Sequence, residues 1–167
     1  MDKEIVKEMR QAIKNNNLMY IKSVIDNNNE LVDYVTIWGT WLHDASRYGM
    51  YDVVKYLIEK GANVNVKGGN RNAGPLTNAA FKGHKDIIEL LLENGAILDT
   101  SDFDVNPLFA AIYNGHIDVV KYLVENGIDL DASYDIGSLK DVDAYEYARQ
   151  YGQMEIANYL KEHLKNE

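Results

Sequence analysis

The chain has 167 residues, 46% of them apolar, which is enough to build a packed core without covalent staples. It contains no cysteine, so disulfides and thiolate metal sites are excluded. The net charge is −9, unevenly spread: residues 1–83 carry 11 Lys/Arg against 9 Asp/Glu, and residues 84–167 carry 6 against 17. Non-specific binding to nucleic-acid backbones requires a basic face, and the second half offers the reverse.

The N-terminus, Met1-Asp2-Lys3-Glu4-Ile5, is charged, and no apolar run approaches the roughly 18 residues of a membrane span or the core of a signal peptide. A cytoplasmic protein without membrane attachment is expected. Residues 1–32 form a degenerate first unit: Ala12 precedes Ala45 by 33, and Ile21–Ile25 precedes Val54–Ile58 by the same step. The Asn15–Asn17 run is placed at a helix-to-helix turn and Asn27–Asn29 after the second helix, since Asn tolerates left-handed backbone and caps helices.

From there a phrase returns about every 33 residues. It reads Gly49-Met50-Tyr51-Asp52-Val53-Val54 through Gly61-Ala62, then Gly83-His84-Lys85-Asp86-Ile87-Ile88 through Gly95-Ala96, then Gly115-His116-Ile117-Asp118-Val119-Val120 through Gly127-Ile128. The glycine spacings are 34, 32 and then 37 to Gly152, which divides the chain into units of about 1–32, 33–65, 66–99, 100–131 and 132–167. A fixed period of this size means stacked supersecondary units, each touching only its neighbours. The extra residues around Ser133–Val142 predict an enlarged loop before the last unit.

Each unit reads as two short helices. In the fourth, Pro107–Asn114 should be the first helix, opened by proline at its first turn and closed by Gly115. Asp118 then complements the dipole of a second helix, whose Val119, Val120, Leu123 and Val124 make one apolar stripe.

These pieces resemble the ankyrin-repeat family, whose units open on Gly-x-Thr-Pro-Leu-His and continue through Ala-Ala, Gly-His and Gly-Ala-x-x-Asn. Gly39, Thr40, Leu42 and His43 match in unit two. Gly74-Pro75-Leu76 with Ala79-Ala80 match in unit three, and Pro107-Leu108 with Ala110-Ala111 in unit four. The resemblance covers essentially the whole chain and implies an all-α solenoid of stacked helix-turn-helix units with hairpin or loop fingers. Trp41 replaces the usual proline, and Thr77 and Phe109 replace the His present at His43, so somewhat lower local stability is expected in units three and four.

No arrangement of residues points to catalysis. His43, His84, His116 and His163 fall in different units, and His84 and His116 occupy the Gly-His position. One repeat apart, on the order of 10 Å by helix spacing, they are too distant to share an ion. The Asp-rich stretches around Asp99–Asp104 and Asp129–Asp135 lack the order of a calcium loop. The segment Lys67–Gly74 lacks the Gly-Lys-Ser/Thr ending of a phosphate loop. No enzyme activity, cofactor or metal is expected.

The expected function is binding another protein through the concave groove and the finger tips. Residues just before the helix-ending glycines, Arg47-Tyr48, Phe81-Lys82, Tyr113-Asn114 and Tyr151, place an aromatic in each unit, and aromatic side chains are common interface anchors. The finger tips add Tyr34, Trp38, Arg71, Asp102, Phe103, Asp104, Tyr134 and Asp135. Their acidic members favour a partner with a basic patch. An inhibitor or immunity-type protein masking a basic enzyme is one concrete role. An adaptor, scaffold or secreted effector that recruits a host protein is the alternative. Neither nucleic acid nor membrane is expected as a partner, and the chain is expected to be a monomer.

Overall fold

A computed structural model describes residues 2–164. Ten α-helices pair in chain order: α1 (Lys3–Lys14) with α2 (Leu18–Ile25), α3 (Trp41–Tyr48) with α4 (Tyr51–Glu59), α5 (Pro75–Lys82) with α6 (Lys85–Glu93), α7 (Pro107–Tyr113) with α8 (Ile117–Glu125), and α9 (Ala144–Gln150) with α10 (Met154–His163). The first helices pack in succession, α1 on α3, α3 on α5, α5 on α7 and α7 on α9. From α4 onward the second helices form a parallel outer row, α4 on α6, α6 on α8 and α8 on α10. The apolar stripes meet between the rows, so Val53, Val54, Leu57, Ile87, Ile88, Leu91, Val119, Val120 and Leu123 are fully buried.

The helix ends follow from the glycines. Gly49 and Gly83 sit at φ +74° and +77°, the left-handed conformation that ends a helix at little cost only for glycine. A Cβ at Gly49 would lie 2.6 Å from the His84 ring, and one at Gly83 would lie 2.7 Å from the His116 ring. Each imidazole therefore rests on the glycine of the preceding pair. His84 Nε2 lies 3.3 Å from the Arg47 carbonyl and His116 Nε2 3.3 Å from that of Phe81. The Gly-His phrase is thus a staple between pairs. In the first pair Asn16 takes the equivalent turn at φ 53°, and the Asn17 side chain caps α2 by accepting from Tyr20 N–H.

Between pairs the chain makes short fingers. Isolated bridges join Thr36 to Gly39 and Gly68 to Ala73. The enlarged loop expected near Ser133–Val142 closes as an antiparallel hairpin, β1 (Tyr134–Ile136) with β2 (Leu139–Val142). It is the one two-stranded sheet among the described residues. Asn65 clamps two turns together, donating to the Gly95 carbonyl and accepting from Ile97 N–H, both at 2.9 Å.

The position of His43 shows how the departures are accommodated. Its Nδ1 accepts from the Thr40 backbone N–H at 3.1 Å, which leaves the proton on Nε2 to donate to the Ala73 carbonyl at 3.0 Å. One pair on, the Thr77 hydroxyl donates to the equivalent carbonyl, Val105, at 2.6 Å. Phe109 offers no donor and instead packs its ring against Tyr134 and Tyr147. Trp41, standing where the family has proline, is fully buried and donates Nε1–H to the Leu31 carbonyl at 2.8 Å.

Candidate protein-binding groove

The inner helices and the fingers enclose a groove of about 550 Å³. Its floor is two rows of equivalent positions, one made by Asp44, Asn78 and Ala110, the other by Arg47, Phe81 and Tyr113. The rows are three residues apart on each helix, so both project from one helical face.

Along the second row the rings form a ladder. Phe81 stacks on Tyr113 with centroids 5.9 Å apart and planes 16° apart, and Tyr113 meets Tyr151 at 5.1 Å. Tyr151 in turn lies 4.5 Å from the buried Tyr147. Phe81 and Tyr113 each pack on the next helix pair, and the ladder still faces outward, for Tyr113 and Tyr151 each stay 46% exposed. Burial, and next the Tyr151 hydroxyl, push the Tyr147 phenol well above its ordinary range.

The finger residues divide into two groups. Trp38, Arg71 and Asp104 line the groove, and Arg71 pairs loosely with Asp104 at 3.7 Å across adjacent fingers. Trp38 is 43% exposed, yet one face is covered by Arg10, whose guanidinium lies 3.6 Å from the ring centroid. Tyr34, Phe103 and Tyr134 are half-buried and held by ring packing. Tyr34 stacks on Trp41 at 5.9 Å, while Phe103, also in the groove lining, meets Phe109, Tyr134 and Tyr147 edge-on. The Tyr134 hydroxyl accepts from Asn106 and donates to the Thr100 carbonyl, which fixes the last finger against the one before it.

Other candidates fall outside the groove lining. Asn114 donates to the Phe81 carbonyl at 2.8 Å and so tethers one helix pair to the previous one. Lys82 is exposed, with its ammonium 5.3 Å from the Phe81 ring centre. Asp102 is exposed and accepts from Asp104 N–H within its own turn. Asp135 pairs with Lys140 in the hairpin. Tyr48 turns the other way, toward α1 and the first finger.

Arg10, Asp44, Asn78 and Tyr147 also contribute to the groove and were not among the expected binding residues. Asp44 and Asn78 carry a readable signal, since they are 34 residues apart and each follows the family's His position. Arg10 has none: it reaches Asp44 across 34 residues, donating Nε–H to Oδ2 at 2.7 Å, from a different helix pair. Between fingers, the Lys67 ammonium 2.6 Å from Asp99, and next the Ser101 hydroxyl, hold the Asp99 carboxyl down to about 2. Burial pushes the His43 imidazole below its ordinary range. Among the described residues no group of three His, Asp or Glu could hold a metal ion, and no helix is long and apolar enough to cross a membrane.

Comparison with known proteins agrees with the architecture. The family model described as ankyrin repeats (3 copies) matches residues 9–68 and 67–134. A palmitoyltransferase, AKR1, of Lachancea kluyveri is 38% identical over 90 residues, 51% of this chain and 12% of that protein. Alpha-latrotoxin-Lh1a of Latrodectus hasselti is 40% identical over 73 residues, 40% of this chain and 5% of the toxin. An ankyrin repeat protein of Rickettsia felis is 43% identical over 60 residues, 36% of this chain and 26% of the relative. The matched segment is thus a small part of each of these relatives.

Proposed function

The chain belongs to the ankyrin-repeat family, and from that premise we propose that it acts as a monomeric, cytoplasmic module that seats a partner protein in its concave groove. The observation that carries this is the half-exposed ladder Phe81–Tyr113–Tyr151. Ring stacking holds these side chains in place before any partner arrives, so little side-chain entropy remains to be lost on binding. Arg47, which makes no ion pair among the described residues, and the Arg71–Asp104 pair border the ladder with polar contacts.

The partner in this reading presents a basic patch to the second half of the chain. Asp102 has no cation within ion-pair distance among the described residues, and Asp104 and Asp135 sit in exposed pairs with Arg71 and Lys140. Exposed pairs contribute little to stability and exchange readily for a partner's cation. Masking a basic enzyme is the inhibitory role that fits. The second reading, an adaptor, draws on the relatives, each of which carries its matching segment within a much longer protein.

Affinity capture from the native host with mass spectrometry, repeated with Tyr113→Ala and Tyr151→Ala, tests the groove. The captured partner should be lost from both variants while their helical content stays unchanged. Undiminished capture by both removes the ladder as the binding face.

A further inference from the structure

A second recess, of about 770 Å³, lies between α1 and the first finger, on the other side of Trp38 from the groove. One wall is a run of cations, Lys3, Lys7, Arg10 and Lys14. Steps of four, three and four residues bring them to one face of the helix. No carboxylate lines the recess. Lys7 meets Glu4 in an exposed pair, and Arg10 is taken up by Asp44 and Trp38. Lys3 and Lys14 have no ion pair among the described residues.

The facing wall is apolar. Val35 is 59% exposed and Ile37 74%, and both stand beside Trp38 on the finger tip. They do not fold inward because the tip is a hydrogen-bonded turn: Thr36 N–H donates to the Gly39 carbonyl, and the Thr36 hydroxyl accepts from Trp38 N–H. Like charges along a helix face repel one another, and contiguous exposed apolar side chains mark interaction sites. Their juxtaposition is satisfied by one kind of occupant.

We propose that this recess binds an acidic, amphipathic peptide segment of a partner protein, its carboxylates along the α1 cations and an aromatic or aliphatic side chain against Ile37 and Trp38. The two walls face each other across the recess, so a segment lying between them meets the cations and the apolar side chains at once. The site is separate from the ring ladder and holds whether or not the groove reading does.

The probe is a short synthetic peptide with Glu residues around a single Phe, titrated into the full chain at low salt while tryptophan emission is followed. The chain has two tryptophans, and with Trp41 buried the change reports Trp38. Saturable binding is expected, weakened at least about ten-fold by Lys3→Glu/Lys14→Glu, by Ile37→Ser, by exchanging the peptide's Glu for Lys, or by exchanging its Phe for Ser. Tyr113→Ala should leave it unchanged. The substituted side chains are exposed, and far-ultraviolet circular dichroism verifies that the variants fold. Equal binding by Lys3→Glu/Lys14→Glu overturns the proposal. So does preferential binding to phosphatidylserine vesicles, or self-association through this face that the peptide does not displace.

Discussion

Arg10 lays its guanidinium over the ring of Trp38 at 3.6 Å, joining the first helix to the tip of the first finger. The same group donates to Asp44, whose side chain is only 3% exposed. Arg10→Ala should therefore destabilise the fold by about 3 kcal/mol, because a buried carboxylate loses its partner. Arg10→Lys should recover only part of this, since an ammonium cannot reproduce the planar contact. Urea denaturation of the two variants checks both statements.

The ring ladder predicts a separation between stability and binding. Tyr113→Ala should lower stability by only about 1 kcal/mol, because the ring is half-exposed and loses mainly its stacking partners. Affinity for the groove's partner should fall by about 2 kcal/mol or more, as at an interface anchor. Calorimetric titration beside a thermal melt resolves the two.

Gly83→Ala should cost about 2 kcal/mol, from positive φ and from the clash with His116. Gly83→Ala/His116→Ala should be less damaging than the sum of its parts, since removing the imbidazole relieves the clash but leaves the backbone strain. A double-mutant cycle in urea measures that coupling.

Acid should weaken the fold through His43 first. Burial lowers its folded-state pKa, so the unfolded chain binds the proton more readily as pH falls below about 6.5. The stability contributed by the neutral imidazole is complete above that pH and is lost as pH falls toward the folded value. Protonation also places a hydrogen on Nδ1, which now accepts from Thr40 N–H. The slope of stability against pH between 7 and 5 should flatten in His43→Gln. Asp99, held down to about 2, contributes in a lower window, between its ordinary 3.8 and about 2.

Asn106 is fully buried, accepting from Leu108 N–H at 2.8 Å and donating to the Tyr134 hydroxyl at 2.9 Å. Asn106→Ala should cost about 2 kcal/mol and loosen the last finger. Faster amide exchange across Tyr134–Val142 is the expected signature.

The periodic parts of the molecule were readable in the sequence. Gly49 and Gly83 must take positive φ wherever a helix of this kind ends, so their spacing shows the helix pairs directly. Equivalent positions such as Arg47, Phe81 and Tyr113 inherit the same orientation, and the groove row followed from them. What the pattern did not carry were contacts made once. Nothing in the repeat indicates that Arg10 covers Trp38, or that Phe103 and Tyr134 turn from the finger tips into a ring cluster around Phe109. The α1 cations were present at helical spacing but disappeared in a charge count taken over half the chain; of the two carboxylates on that helix, Glu4 meets only Lys7 and Glu8 accepts from the Tyr20 hydroxyl.

The seating of His84 on Gly49 and of His116 on Gly83 uses the same two chemical parts at successive junctions. A segment cut from one such junction to the next carries a glycine at one boundary and an imidazole at the other. Tandem copying of that segment would bring matching parts together at every new boundary. The groove can thus lengthen by whole rungs through duplication, with no junction chemistry to be invented.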